Sequence, residues 1–126
     1  MLNLNSNSAR LYVGQINAFW NYTYGTCRER DYAEYSQEDL LSITPEQLVE
    51  FCAQKVYGVS NPSEDDNPTL GRSSWVQYAK KAISFFMPNR LAHWDVRTRT
   101  GNPTKSAELN DLIKMIKKKE VRKQGS

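Results

Sequence analysis

Apolar positions recur along this chain at helical spacing, with no convincing period-two stretch between them. In ARLYVGQINAFWNYTYG, Leu11, Tyr12, Ile16, Phe19 and Trp20 follow the i, i+3, i+4, i+7 rule that gathers one helical face, interrupted at Gln15. Ser8 is an acceptable N-cap for this stretch and Gly25 a C-terminal stop. Residues 26–37, TCRERDYAEYSQ, are polar and interrupted, and read as a connector with a helical turn at most. The second helix carries the clearest signal. Thr44-Pro45-Glu46-Gln47 combines an N-cap, a proline at the first helical position and a Gln that completes a capping box. Leu48, Phe51, Cys52 and Val56 fall on one face, Ile43 can staple onto the first turn, and Gly58 ends the run.

The next segment, VSNPSEDDNPT, has two Asn-Pro pairs, three consecutive acids and no apolar period, which predicts a loop. A third helix is predicted from Gly71 or Arg72 to Met87, where Pro88 discourages continuation. Its stripe comprises Trp75, Tyr78, Ala79, Ala82, Ile83, Phe85 and Phe86. Arg72, Ser73, Gln77, Lys80, Lys81 and Ser84 lie largely off it. A second loop, residues 88–104, carries Arg90, Arg97 and Arg99. Thr104 or Ser106 then caps a final helix with Leu109, Leu112, Ile113 and Ile116, ending in a basic run that suits the C-terminal dipole. The pattern is that of an all-α domain.

Composition fits this reading. A chain of 126 residues with 39% hydrophobic and 25% charged side chains fills one core and hardly more than one domain. No run of about 18 apolar residues occurs, and MLNLNSNSAR has no basic segment followed by an apolar one, so neither a spanning helix nor a secretory signal is read. Cys27 and Cys52 make no C-x-x-C pair, and one histidine leaves no zinc set. Two reduced thiols in an intracellular domain are expected, and no cofactor is implied.

Charge changes the picture more. Residues 1–66 hold four basic and ten acidic side chains, a net −6; residues 67–126 hold thirteen basic and four acidic, a net +9. Such asymmetry points to a polyanionic partner for the second half, of which nucleic acid is the commonest. Lysine-rich helical faces are more often merely solvated. Here the bland reading is weakened because the acids have withdrawn from the half that carries the cations. Other chemistry is poorly supported. His93 has no nucleophile or orienting partner in a recognisable pattern and reads as a loop residue packed on the core. Ser73-Ser74 lacks a G-x-S-x-G context, Asp65-Asp66 lacks EF-hand spacing, and Gly71 opens no phosphate loop. Cys52 reads as core, Cys27 as loop. The aromatics at helical spacing read as core, while Tyr22, Tyr24, Tyr32 and Tyr35 stay unassigned.

The succession of a capped helix, Ile43-Thr44-Pro45-Glu46-Gln47-Leu48…Phe51, then Ser74-Trp75…Ala79…Ala82…Phe85-Phe86, then Asn102-Pro103 before a basic helix, resembles the N-terminal core-binding domain of tyrosine recombinases of the phage-integrase family. The segment GNPTKSAELNDLIKMIKKKEVRKQG looks like eukaryotic members of the Crypton or retroelement-associated kind. The resemblance spans roughly residues 9–125; each motif is short and degenerate. It implies a SAM-like orthogonal bundle of four to five helices over residues 9–124, after a flexible N-terminus at 1–8; Gly125-Ser126 has the look of a vector-derived tail. It also implies a non-catalytic domain that grips double-stranded DNA with the third and fourth helices, monomeric alone and oligomeric on DNA, and nuclear. On this reading Arg72, Ser73, Ser74, Gln77, Lys80 and Lys81 face the duplex. Lys114, Lys117, Lys118, Arg122 and Lys123 join them from the last helix, flanked by Arg97, Arg99 and Lys105.

Departures accompany the likeness. Ser74 and Gln77 stand where the family commonly has Thr and Arg, so one usual phosphate-binding cation is missing. Nothing resembles the family's catalytic domain; His93-Trp94-Asp95-Val96 is no His-x-x-Arg pair. Two rivals remain: a protein–protein interaction module working through the acidic half, and a fragment of an active recombinase whose catalytic domain follows.

Overall fold

The computed structural model describes residues 7–29 and 35–124, with the side chains of 121–124 left aside. Among them it is an all-α bundle of five helices without a strand. The helices are α1 (Asn7–Tyr24), α2 (Gln37–Leu41), α3 (Pro45–Tyr57), α4 (Ser73–Phe85) and α5 (Ala107–Gln124), with one turn of 3₁₀ helix at Pro103–Lys105 before the last. The four long helices close a ring: α1 packs on α3 and α4, and α5 packs on the same two from the opposite side.

The starts and stops follow local chemistry. At α3, Thr44 Oγ1 accepts from the Gln47 N–H at 3.3 Å while Gln47 Oε1 accepts from the Thr44 N–H at 3.0 Å, the reciprocal box that satisfies two otherwise orphaned donors. Gly58 ends the helix with φ of 80°, a left-handed turn that a side chain would oppose. Gly25 closes α1 the same way, its N–H donating to the Asn21 carbonyl at 2.9 Å. Ser106, rather than Thr104, caps α5: its carbonyl accepts from the Asn110 N–H and its hydroxyl from the Leu109 N–H. Thr104 is buried instead, its N–H and hydroxyl both donating to Asn102 Oδ1.

One core lies inside the ring. Val13, Ile16, Phe19, Phe51, Val56, Val76, Ile83, Leu109 and Ile116 are buried there, and Phe19 meets Phe51 edge to face at 5.7 Å, a pair that contributes about 1 kcal/mol beyond its buried area. Cys52 is buried beside them. Tyr35 is only 1% exposed and donates to Asn17 Oδ1 at 2.5 Å, which anchors this residue, just before α2, in the core.

Several expectations are corrected. α1 already includes Asn7, so Ser8 lies within the helix and is not its cap, and the expected flexible start at 1–8 overlaps that helix; residues 1–6 lie outside the described ones. A further helix, α2, begins at the connector's last residue and runs over Gln37–Leu41, where no element was expected, started by a second capping box between Ser36 and Asp39. α4 is shorter than expected at both ends. Leu11 is 62% exposed, because α1 turns its Val13–Ile16–Trp20 side inward and leaves position 11 on the far side. His93 is exposed and does not pack on the core.

Between α4 and α5 the chain is pinned by Asn102, which is fully buried. Its Nδ2 donates to Ser84 Oγ at 2.8 Å and to the Arg90 carbonyl at 2.9 Å, while Oδ1 serves Thr104. The turn Asp95–Thr100 is closed by a single bridge, with Asp95 Oδ1 accepting from the N–H groups of Arg97 and Thr98.

Candidate nucleic-acid interface

Two contacts fix how α4 and α5 run. Ser73, first in α4, meets Glu120 in the last turns of α5, while Lys80 in mid-α4 meets Asn110 near the start of α5. The helices are therefore antiparallel neighbours, and their outer sides form one surface. At about 100° per residue, Ser74, Gln77 and Lys81 share the outer ridge of α4, and all three are exposed. On α5 Lys114, Lys117 and Lys118 are exposed; Lys114 and Lys118 lie opposite the buried Ile116, and Lys117 lies near the line of Asn110, on the edge toward α4.

The expected residues divide accordingly. Arg72, Ser74, Gln77, Lys80, Lys81, Lys105, Lys114, Lys117 and Lys118 come together along these two helices and the 3₁₀ turn between them. Ser73 does not point outward. It is 6% exposed; its N–H donates to Glu120 Oε1 at 2.7 Å and its hydroxyl to Oε2 at 2.9 Å. Arg72 has no side-chain capping bond of its own and leaves this task to Glu120, with its Nε 3.9 Å from the same carboxylate. Those bonds hold the Glu120 carboxyl below the usual carboxylate range.

Arg99 departs in another direction. Its Nη2 reaches Glu46 in the first turn of α3 at 2.7 Å, and its guanidinium lies 5.5 Å from the Trp94 ring centroid. The ion pair raises the Arg99 pKa and lowers that of Glu46. Arg99 is thus engaged on the acidic side, where helix α3 begins, and is removed from the set facing outward over α4 and α5. Arg97 is exposed at the turn tip. The side chains of Arg122 and Lys123 lie outside the described residues.

Electrostatically the surface is lopsided. Among the described residues, Lys81, Lys105, Lys114, Lys117 and Lys118 form no ion pair. Glu120 is folded back onto Ser73, which leaves Asp111 and Glu108 as the exposed acids of α5. Lys80 is half-buried, and burial together with the charge of Lys105 lowers its pKa. Asn110, which orients the Lys80 ammonium from 2.8 Å, was not among the expected site residues; its place four residues before Lys114 on the polar side of the last helix was the available signal.

No other chemistry is assembled among the described residues. No group of three metal-ligating side chains converges, and no helix is long and apolar enough to cross a membrane. An open hollow of about 550 Å³ between Phe85 and Ala92 carries Arg90 at its wall but no acid–base pair. No family model, curated protein or solved structure matches the chain.

Proposed function

We propose that this chain is a non-catalytic double-stranded DNA-binding domain, of the kind that forms the core-binding part of tyrosine recombinases, and that it grips the duplex with the outer sides of α4 and α5. The observation that carries the reading is the gathering of Arg72, Lys80, Lys81, Lys105, Lys114, Lys117 and Lys118 along two adjacent antiparallel helices, the residue that precedes α4 and the 3₁₀ turn before α5, with most of these cations outside any ion pair. Cations held without internal partners are free to displace the counterions condensed on a phosphate backbone, which is where most nucleic-acid affinity arises. Ser74 and Gln77 lie on the ridge between them and offer hydroxyl and amide groups to phosphates or base edges. An assembly of copies on DNA, a monomer without it and a nuclear site of action follow from the same reading.

The test is fluorescence anisotropy of a labelled duplex across a salt series. Log affinity should fall linearly with log salt, with a slope of about −0.9 for each phosphate neutralised. A folded protein that shows no association at low salt removes the proposal.

The rival, a protein-interaction module, draws on a separate surface. Glu38, Glu46 and Glu50 of α2 and α3 are exposed, and Leu41 beside them is 53% exposed. Reversing Lys80, Lys81, Lys117 and Lys118 to Glu should abolish duplex binding and spare a contact made through that acidic side.

A further inference from the structure

Within the α4/α5 surface, Lys80 and Lys105 sit lower than the exposed lysines around them. Both are half-buried, and Lys80 Nζ gives one of its three donors to Asn110 Oδ1 at 2.8 Å. The 3₁₀ turn that carries Lys105 packs on both α4 and α5, and the buried Asn102–Thr104 network fixes it there. Two half-buried like charges thus come from elements packed on one another, an arrangement that costs free energy unless an anion joins them. Burial first, and the Lys105 charge after it, lower the pKa of Lys80.

The fold supplies no such anion among the described residues. Neither lysine has a carboxylate within ion-pair distance. Glu108, in the first turn of α5, lies about 200° around the helix from Asn110, and its charge acts on Arg99 instead. Asp111 is exposed and neighbours Asn110 in sequence, but it makes no bond to Lys80. Meanwhile the site lies beside the N-terminal end of α5, whose dipole adds positive potential. Because Asn110 Oδ1 is engaged by Lys80, its Nδ2 remains as a donor. Three elements therefore bring N–H donors to the same part of the surface: Lys80 from α4 and Asn110 from α5, in contact at 2.8 Å, and Lys105 from the 3₁₀ turn packed on both helices.

We propose that Lys80, Lys105 and Asn110 form a site for a single phosphate group. Resting on the DNA reading, the occupant is a phosphodiester of the duplex, and this phosphate sets the register of the protein on the backbone. Free inorganic phosphate presents the same chemistry, and the experiment separates the two sources.

Duplex affinity and salt slope are measured by anisotropy for the wild-type chain, Lys80→Gln, Lys105→Ala and, as a control on the acidic side, Lys55→Ala. Thermal melting of each is followed with and without inorganic phosphate against equal ionic strength of chloride. Lys80→Gln keeps a donor for Asn110 and Lys105→Ala leaves the half-buried Lys80 in place, so the two variants do not share a folding risk. Each should weaken duplex binding about tenfold at low salt and reduce the slope by about one phosphate contact, with Lys55→Ala unchanged. If the wild type binds the duplex and both variants bind it equally well, the site is overturned and the DNA reading stands. If the wild type binds no duplex, that reading fails. Phosphate-specific stabilisation of the wild type that both variants lose would then keep the site, with free phosphate as its occupant; no stabilisation would overturn it as well.

Discussion

The carboxylate of Glu120, near the end of α5, accepts both the N–H and the hydroxyl of Ser73 and so closes the start of α4 from 47 residues away. Helices usually recruit a cap from the residue before their first turn; here Arg72 makes no such bond. Glu120→Ala should cost about 1–2 kcal/mol in chemical denaturation at neutral pH, and Glu120→Gln less, since an amide oxygen can still accept one bond.

The same pair has a pH signature. The Glu120 carboxyl lies below its ordinary value of 4.5 in the folded protein, so its contribution is complete above that value and lost as pH falls through the lowered one. The stability gap between wild type and Glu120→Gln should therefore narrow as denaturation curves are taken down to about pH 3. A gap of constant size across that range would contradict the assignment.

Asn102 makes four bonds while fully buried. Asn102→Ala leaves donors at Thr104 and a carbonyl at Arg90 without their partner, and should destabilise by about 3 kcal/mol. Because the 3₁₀ turn holding Lys105 hangs on this network, duplex affinity should fall with it even under conditions where the variant is folded.

Gly101 and Gly25 both have positive φ, at 109° and 67°. A Cβ at 101 would stand 2.3 Å from the His93 carbonyl oxygen, whereas one at 25 meets nothing within 4 Å. Gly25→Ala should cost about 1 kcal/mol, the strain of a left-handed alanine. Gly101→Ala should cost clearly more, because backbone must move; equal melting temperatures would contradict this.

Thiol labelling should separate the cysteines. Cys27 is exposed, while burial pushes the Cys52 thiol up to about 12. One thiol should react promptly at pH 8 in the native protein and two in denaturant, the second at a rate set by opening of the core.

Local chemistry made part of this fold legible in the sequence. The Thr44–Gln47 box, Pro45, Gly25 and Gly58 act on neighbours a few residues away, and the elements they bound are where the pattern places them. α2 escaped because its box uses Asp39 in the place usually held by Glu or Gln and its helix is a single short turn and a half. The long-range partners were invisible: Asn17 for Tyr35, Glu120 for Ser73, Glu46 for Arg99. Each is a polar side chain whose mate comes from another element, so no spacing rule reaches it. That is why Ser73 and Arg99 were expected on the outward surface and Asn110 was not. The clustering of cations was legible as a charge imbalance between halves; that α4 and α5 lie side by side needed the fold.

On the proposed reading the outer sides of α4 and α5 meet duplex DNA. Backbone amide shifts of the ¹⁵N-labelled protein, titrated with a short duplex at low salt, test it residue by residue. The largest changes should fall on Ser74, Gln77, Lys81, Lys105, Lys114 and Lys117 and leave α2 and the start of α3 unmoved. Changes concentrated around Glu38, Glu46 and Glu50, or none at all in a folded sample, would contradict it.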